Sequence, residues 1–229
     1  MVLDPQVTVL VPALNEKDTI AEVIDRLLAL PLATQVIVVD DGSTDGTTEI
    51  LATYTDRILV LRNERPGGKG SAIRQALQHA AGVATIIQDA DLEYSPEQIP
   101  MLVQPILDGK AEVVYGTRFA HGLPVGMALP NKIVNILLAL SVRVLFRYRI
   151  TDEATCYKAF RTGLLKDMHL ICQRFEFCPE VTAKSLRMGK RIVEIPIDYV
   201  PRSKAAGKKI RWTDAPEAFW TLFRHRFGF

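Results

Sequence analysis

Cysteine is scarce and unpatterned: Cys156, Cys172 and Cys178 are the only three in 229 residues, with no CxxC spacing. An odd number of this kind excludes a disulfide framework and leaves no tetrahedral zinc set. With no signal-peptide pattern in residues 1–5, reduced thiols in a cytoplasmic enzyme are expected. An excess of one charge is missing too. The 28 Lys and Arg residues against 26 Asp and Glu give a net charge of +2, which argues for no nucleic-acid partner. The longest apolar stretch, residues 133–146, is broken by Asn135, Ser141 and Arg143. It falls short of the roughly 18 to 20 residues that span a bilayer, so no transmembrane helix is expected. Two nucleotide signatures are also absent. No GxGxxG occurs, and Asn63 stands where a Walker A loop ending in Gly68-Lys69 needs glycine, so dehydrogenase and ATPase readings lose their main support.

What remains is an ordinary globular composition, 48% hydrophobic and 24% charged, which excludes a disordered or fibrous chain. Compact apolar runs bounded by turn residues predict strands at 7–11, 36–40, 58–61, 84–88 and 112–115. Between them, helical spacing predicts helices at 19–30, 45–54, 71–80 and 96–107, with Asp45 and Ser95 as N-caps. Strand alternating with helix implies an α/β fold, a mostly parallel central sheet covered on both faces. Ligands of such sheets bind beyond the carboxyl ends of the strands, so the loops there are where chemistry is sought.

Those loops are acidic. Pro12-Ala13-Leu14-Asn15-Glu16 follows the first strand, Asp40-Asp41-Gly42-Ser43-Thr44-Asp45-Gly46 the second, and Asp89-Ala90-Asp91-Leu92-Glu93 the fourth. Carboxylates gathered at one rim repel one another unless a cation or many donors compensate. Asp89, Asp91 and Glu93 offer hard oxygen ligands that suit Mg²⁺ or Mn²⁺, with substrate phosphates and water completing the shell. The turn Arg65-Pro66-Gly67-Gly68-Lys69-Gly70 opens a helix, where backbone N–H groups and Lys69 are placed to meet a phosphate.

Six segments in order, VLVPALNE, VIVVDDGSTDGT, NERPGGKGSAIRQAL, IIQDADLEYSPEQIP, VVYGTR and RIVEIPIDYVPRSKAAGKKIRW, resemble the family 2 GT-A glycosyltransferases over nearly the whole chain. They are most similar to the dolichol-phosphate mannose synthase branch, which acts on polyprenyl phosphates. The resemblance implies a single GT-A, Rossmann-like domain over residues 1–229, with a nucleotide-sugar part (1–118), an acceptor-binding and membrane-facing part (119–229) and C-terminal amphipathic helices. It further implies that Pro12, Leu14, Glu16, Asp41 and Lys69 lie about the nucleotide, and that Asp89, Ala90 and Asp91 span its ribose and diphosphate. Leu14 stands where the family often has an aromatic residue, and Glu93 replaces a common Gln. Arg118 matches a phosphate-binding position, and Arg202 and Lys208 match a basic loop that closes over the diphosphate. Asp152 lies in the family's acceptor loop, here with the unusual continuation Glu153-Ala154-Thr155-Cys156-Tyr157. It would be a general base for a hydroxyl acceptor, and would orient or bind for a lipid phosphate, which is already ionised.

These assignments lead to an expected inverting, metal-dependent transfer of a hexose from a GDP- or UDP-sugar to a polyprenyl phosphate, with Asp91, Asp152, Arg118 and Arg202 in the catalytic set. A glycosyltransferase using a saccharide or other hydroxyl acceptor, and a non-catalytic nucleotide-sugar-binding module, are the alternatives. Residues 131–149 and 215–229 combine apolar faces with Arg143, Arg147, Arg149, Arg224 and Arg226. They predict helices that pack on the core or lie at a membrane interface. The expected location is therefore cytoplasmic and peripheral to the membrane, reached directly or through a membrane partner subunit.

Overall fold

A computed structural model describes residues 5–120, 122, 126–201 and 214–228. Seven strands form one sheet: β1 (Val7–Ala13), β2 (Thr34–Asp40), β3 (Leu59–Arg62), β4 (Ala84–Ile87), β5 (Val113–Thr117), β6 (Lys158–Arg161) and β7 (Ile192–Pro196). Their order across the sheet is β3-β2-β1-β4-β6-β5-β7. Only β6 runs antiparallel to its neighbours, so β1 to β5 and β7 all end at the same rim. The last two strands of the sequence belong to the same sheet as the first five.

The alternation of the strands decides which helices cover which face. Val7, Val9 and Val11 of β1 and Val36 and Val38 of β2 pack into one core with α1 (Ile20–Leu28), α2 (Thr47–Ala52) and α4 (Ile99–Leu107). Leu10, Ile37 and Val39 point the other way, into a core with α3 (Lys69–Leu77), α5 (Leu129–Phe146), α6 (Thr162–Asp167), α7 (Phe177–Arg187) and α8 (Ala215–Phe227). In α1 the buried residues Ile20, Val23, Ile24 and Leu27 follow the i, i+3, i+4, i+7 spacing of one helical stripe.

Local chemistry moves some boundaries. Gly46, with φ of 106°, is the residue that starts α2, while Asp45 one position earlier accepts the Thr47 N–H at 3.0 Å. Ser95 does begin the next helical segment, but its hydroxyl donates to Glu97 rather than capping. That segment is a 3₁₀ turn, Pro96–Gln98, running into α4. The acceptor loop of the sequence reading runs directly into strand β6, which was not expected.

The apolar run that sequence reading took as too short to span a bilayer lies in a longer helix. α5 has 18 residues, a mean hydropathy of 1.5 and 17% of its length buried, long and apolar enough to cross a membrane by length and composition. It nevertheless packs on the protein through Asn135, Leu138 and Val142, and lies against α8. Its other side exposes Ile133, Ile136, Leu137, Leu140 and Val144, the last at 69%. α8 continues the exposed apolar surface with Trp220, Phe223 and Phe227.

Candidate active site

At the shared rim, side chains of one loop hold the backbone of the next. Asn15, forced to a φ of 52°, donates its N–H to Ser43 Oγ at 2.9 Å and accepts the Thr44 N–H through Oδ1 at 2.8 Å. The Glu16 N–H bonds Thr47 Oγ1 at 2.9 Å. Of the paired aspartates, Asp40 faces inward and ties its own loop, accepting from Ser43 N and Thr48 Oγ1 at 2.9 and 2.5 Å. Asp41 faces the glycine turn. Its carboxylate accepts from Asn63 Nδ2, Gly67 N and Gly68 N at 2.8, 2.9 and 2.7 Å.

This arrangement changes the role of the glycine turn. The N–H groups of Gly67 and Gly68 are engaged by Asp41, and those of Gly70 and Ser71 by the carbonyls of Arg174 and Gln173 at 3.0 and 2.9 Å. The turn is therefore not the backbone phosphate cradle that its sequence suggested. Its glycines are needed for close approach, since a Cβ on Gly68 would stand 2.5 Å from Gln173 O, and Gly68 adopts a φ of 93°.

All eight described residues expected about the donor, from Pro12 to Asp91, line one cavity of about 600 Å³. Lys69, in the first turn of α3, reaches across it to ion-pair with Asp89, and its Nζ lies 3.2 Å from Cys156 Sγ. Burial opposes a charged Lys69, but the Asp89 carboxylate holds it protonated well above the ordinary lysine range. Asp91 Oδ1 accepts the Glu93 N–H at 3.1 Å, and Glu93 Oε2 accepts from Tyr199 OH at 3.2 Å. Asp89, Asp91 and Glu93 are thus near one another, but among the described residues no group of three His, Cys, Asp or Glu is arranged to hold a metal ion. The donor set still fits a hard divalent cation, because carboxylates that all open onto one cavity need only ligand oxygens to complete a shell.

A second cavity of about 120 Å³ adjoins the first, sharing Lys69, Glu93 and Phe175 with it. Its walls come from α5, α7 and the start of α8 and are mainly apolar, with Val134, Leu138, Phe177 and Ala218 among them. Arg118, just past β5, enters this cavity. Its Nε and Nη2 make a fork to the two oxygens of Asp152, both at 2.7 Å, and Nη2 also meets Asn135 Oδ1 at 3.1 Å. The Tyr199 ring lies 5.1 Å from the guanidinium carbon. Burial works against the charge, yet Asp152 keeps Arg118 protonated well above its already high ordinary range. Asp152 is fully buried and also accepts the Arg118 backbone N–H at 3.0 Å, so its carboxylate is engaged as a clamp.

Next to it, burial pushes the Glu153 carboxyl up to about 7, an effect that Lys158 only partly offsets. Among the described residues, Glu153 Oε2 has no hydrogen-bond partner. Arg202 and Lys208 lie outside the described residues. Sequence reasoning missed Gln173, Arg174 and Phe175, which line the larger cavity from an irregular segment that no motif marks, as well as Asn135 and Tyr199 beside Arg118. Of these only Tyr199 lies within a segment that carries the family resemblance, RIVEIPIDYVPRSKAAGKKIRW.

The glycosyl transferase family 2 model matches residues 8–168. The chain is 29% identical to an undecaprenyl-phosphate mannosyltransferase of Micrococcus luteus, covering 97% of this chain and 99% of that one. It is also 29% identical to a dolichol-phosphate mannosyltransferase of Mycosarcoma maydis, covering 98% and 81%. A Haloferax volcanii glycosyltransferase is matched at 29% identity over 86% of this chain, which spans 63% of that enzyme's length. Among solved structures, glucosyl-3-phosphoglycerate synthase from Mycobacterium tuberculosis, crystallised with Mn²⁺, UDP-glucose and phosphoglyceric acid, superposes with a TM-score of 0.73. That match covers 97% of this chain and 80% of the other at 23% identity, and it shows a shared GT-A fold.

Proposed function

Because the chain belongs to glycosyl transferase family 2 and is thus a glycosyltransferase, we propose that it moves a hexose, with inversion, from a nucleoside-diphosphate sugar to a polyprenyl phosphate at a membrane surface. The observation that carries this reading is the setting of Arg118, a buried guanidinium facing an apolar cavity beside the donor site. A phosphate attached to a hydrocarbon chain matches both halves of that setting. Two of the cavity's wall helices, α5 and α8, also expose the apolar faces that would meet a bilayer, with Lys132, Arg143 and Arg224 among the cations on them and no acidic residue in α5. The mannosyltransferase relatives of Micrococcus and Mycosarcoma are named for lipid phosphates of this class.

In this reading Pro12, Leu14 and Glu16 hold the base and ribose, and the strand-end carboxylates Asp89 and Asp91 hold Mg²⁺ or Mn²⁺. Bound there, the metal would offset the charge of the departing diphosphate. Arg118 receives the acceptor phosphate through its Nη1 hydrogens, which have no partner among the described residues. The clamp by Asp152 fixes the plane of the guanidinium and keeps it charged, making Asp152 a positioning residue. A phosphate oxygen already ionised needs no base, and proximity with electrostatic stabilisation accounts for the rate. Arg202 and Lys208 would add positive charge for the diphosphate. The enzyme would work peripherally on the cytoplasmic face, where the donor is.

The test is transfer of radiolabel from GDP-mannose, UDP-glucose and UDP-N-acetylglucosamine to an organic-extractable product, with Mn²⁺ or Mg²⁺ and polyprenyl phosphate. Label in the lipid phase, lost on chelation, is the expected result and identifies the donor. Label only in water-soluble saccharide would replace the lipid phosphate by a hydroxyl acceptor.

A further inference from the structure

The irregular segment from Ile171 to Phe175, between α6 and α7, is held with more hydrogen bonds than a plain connection requires. Glu180 accepts the N–H groups of Ile171 and Cys172 at 2.8 and 2.7 Å. Glu176 accepts those of Gln173 and Arg174 at 2.6 and 2.9 Å. The carbonyls of Gln173 and Arg174 receive the Ser71 and Gly70 N–H groups, and neither Gly68 nor Gly70 has room for a Cβ against this segment. Four consecutive N–H groups and two carbonyls are thereby fixed against the glycine turn. Gln173, Arg174 and Phe175 of this segment line the donor cavity, and of the three Arg174 alone is charged.

The charge of that cavity gives Arg174 a task. Among the described residues, five carboxylates line it, Glu16, Asp41, Asp89, Asp91 and Glu93, against two cations, Lys69 and Arg174. Lys69 is already ion-paired with Asp89. Arg174 is exposed and its guanidinium makes no hydrogen bond or ion pair with any described residue. A nucleoside diphosphate entering so acidic a cavity meets repulsion that one divalent cation only partly cancels, and a planar fork of N–H donors matches phosphate oxygens.

We propose that Arg174 is a donor-binding residue that contacts the diphosphate of the nucleotide sugar, with Glu176 as the residue that positions it. The proposal rests on the nucleotide-sugar reading of the cavity given above. It adds a cation that no sequence motif indicates, carried by the segment that packs on the glycine turn.

The experiment is calorimetric titration of the intact chain with UDP and GDP in the presence of Mn²⁺, and with uridine and guanosine as controls. Arg174→Met is expected to weaken binding of the preferred diphosphate about 10- to 100-fold, the range for losing a hydrogen bond to a charged group. Nucleoside binding should stay within about twofold and the melting temperature should not move, since the side chain is exposed. Arg174→Lys, which keeps the charge without the fork, should fall between the two. Glu176→Gln separates positioning from bulk charge. Removing a negative charge should by itself tighten anion binding, whereas loss of the paired acceptors that hold the segment should weaken it, and weakening is expected. Diphosphate affinity unchanged in Arg174→Met, or a loss equal for diphosphate and nucleoside, would overturn the assignment while leaving the donor reading intact. Wild-type protein that binds no nucleoside diphosphate would overturn both.

Discussion

Glu153 enters the fold next to Asp152, yet its surroundings supply a neighbouring hydroxyl rather than a guanidinium: Thr182 Oγ1 donates to Oε1 at 3.2 Å, and Oε2 has no partner among the described residues. Burial raises its carboxyl to about 7 from an ordinary value of 4.5. Between those values the native state retains a proton that the unfolded chain releases, so stability is full below about pH 4.5 and declines as pH rises through 7. The shift corresponds to roughly 3 kcal/mol as an upper bound, since about 1.4 kcal/mol attends each unit. Glu153→Gln cannot ionise and should flatten this part of the profile. Urea melts of both proteins at pH 5 and pH 8 check it, and an equal loss in the two would assign the slope to other groups. The roles of such residues were only partly legible. Carboxylates at strand ends announced a polar rim, but that Asp41 clamps the glycine turn and Asp152 clamps Arg118 depends on contacts across 26 and 34 residues of sequence. No local pattern encodes those separations.

Elements were legible where their periodicity was strong. The core strands alternate into two apolar cores, and the α1 stripe fixes that helix to within two residues at either end. β6 was missed because its four residues, Lys158–Arg161, mix a buried lysine with apolar neighbours and lie directly after a loop motif. Lys158 is accommodated there by the Glu153 carbonyl at 2.6 Å and the Tyr115 ring at 3.8 Å, partners supplied by the tertiary fold. The apolar face of α5 was read as broken for a related reason. Asn135, counted as an interruption of an apolar run, faces inward to Arg118, and the outward face is more continuously apolar than the linear sequence suggests. That geometry favours a helix lying in the interface over one crossing it, because a spanning α5 would leave Arg118 without Asn135. Replacing Ile136 and Leu140 together with Glu should therefore lower binding to anionic vesicles at least tenfold, as two apolar anchors become like charges at an anionic surface. Both side chains are about half exposed, so the melting temperature should change little. Co-sedimentation with phosphatidylglycerol vesicles measures the first effect, and retained vesicle binding would place the membrane contact elsewhere.

At the scale of the whole molecule, the sheet brings six strand ends to one rim and thereby concentrates carboxylates in a single cavity. Such a site is unfavourable for either half of its proposed ligand alone. A divalent cation finds Asp89 already paired with Lys69 and, among the described residues, no ready set of three ligands, while a nucleoside diphosphate finds an excess of negative charge. Together they neutralise one another, the phosphate oxygens completing the metal's shell and the metal offsetting the carboxylates. Binding should consequently be cooperative, each component raising the affinity for the other by the same factor. At about 100 times the dissociation constant, the joint ligand would stabilise the native chain by about 2.7 kcal/mol. For a chain of this size that corresponds to a rise in melting temperature of roughly 5 to 10 °C. Mn²⁺ alone and the preferred nucleoside diphosphate alone should each give about 2 °C or less, and EDTA should abolish the joint effect. Differential scanning calorimetry of the four conditions measures this directly. Shifts that merely add would show that cation and nucleotide occupy independent sites, and that the acidic rim is not where they meet.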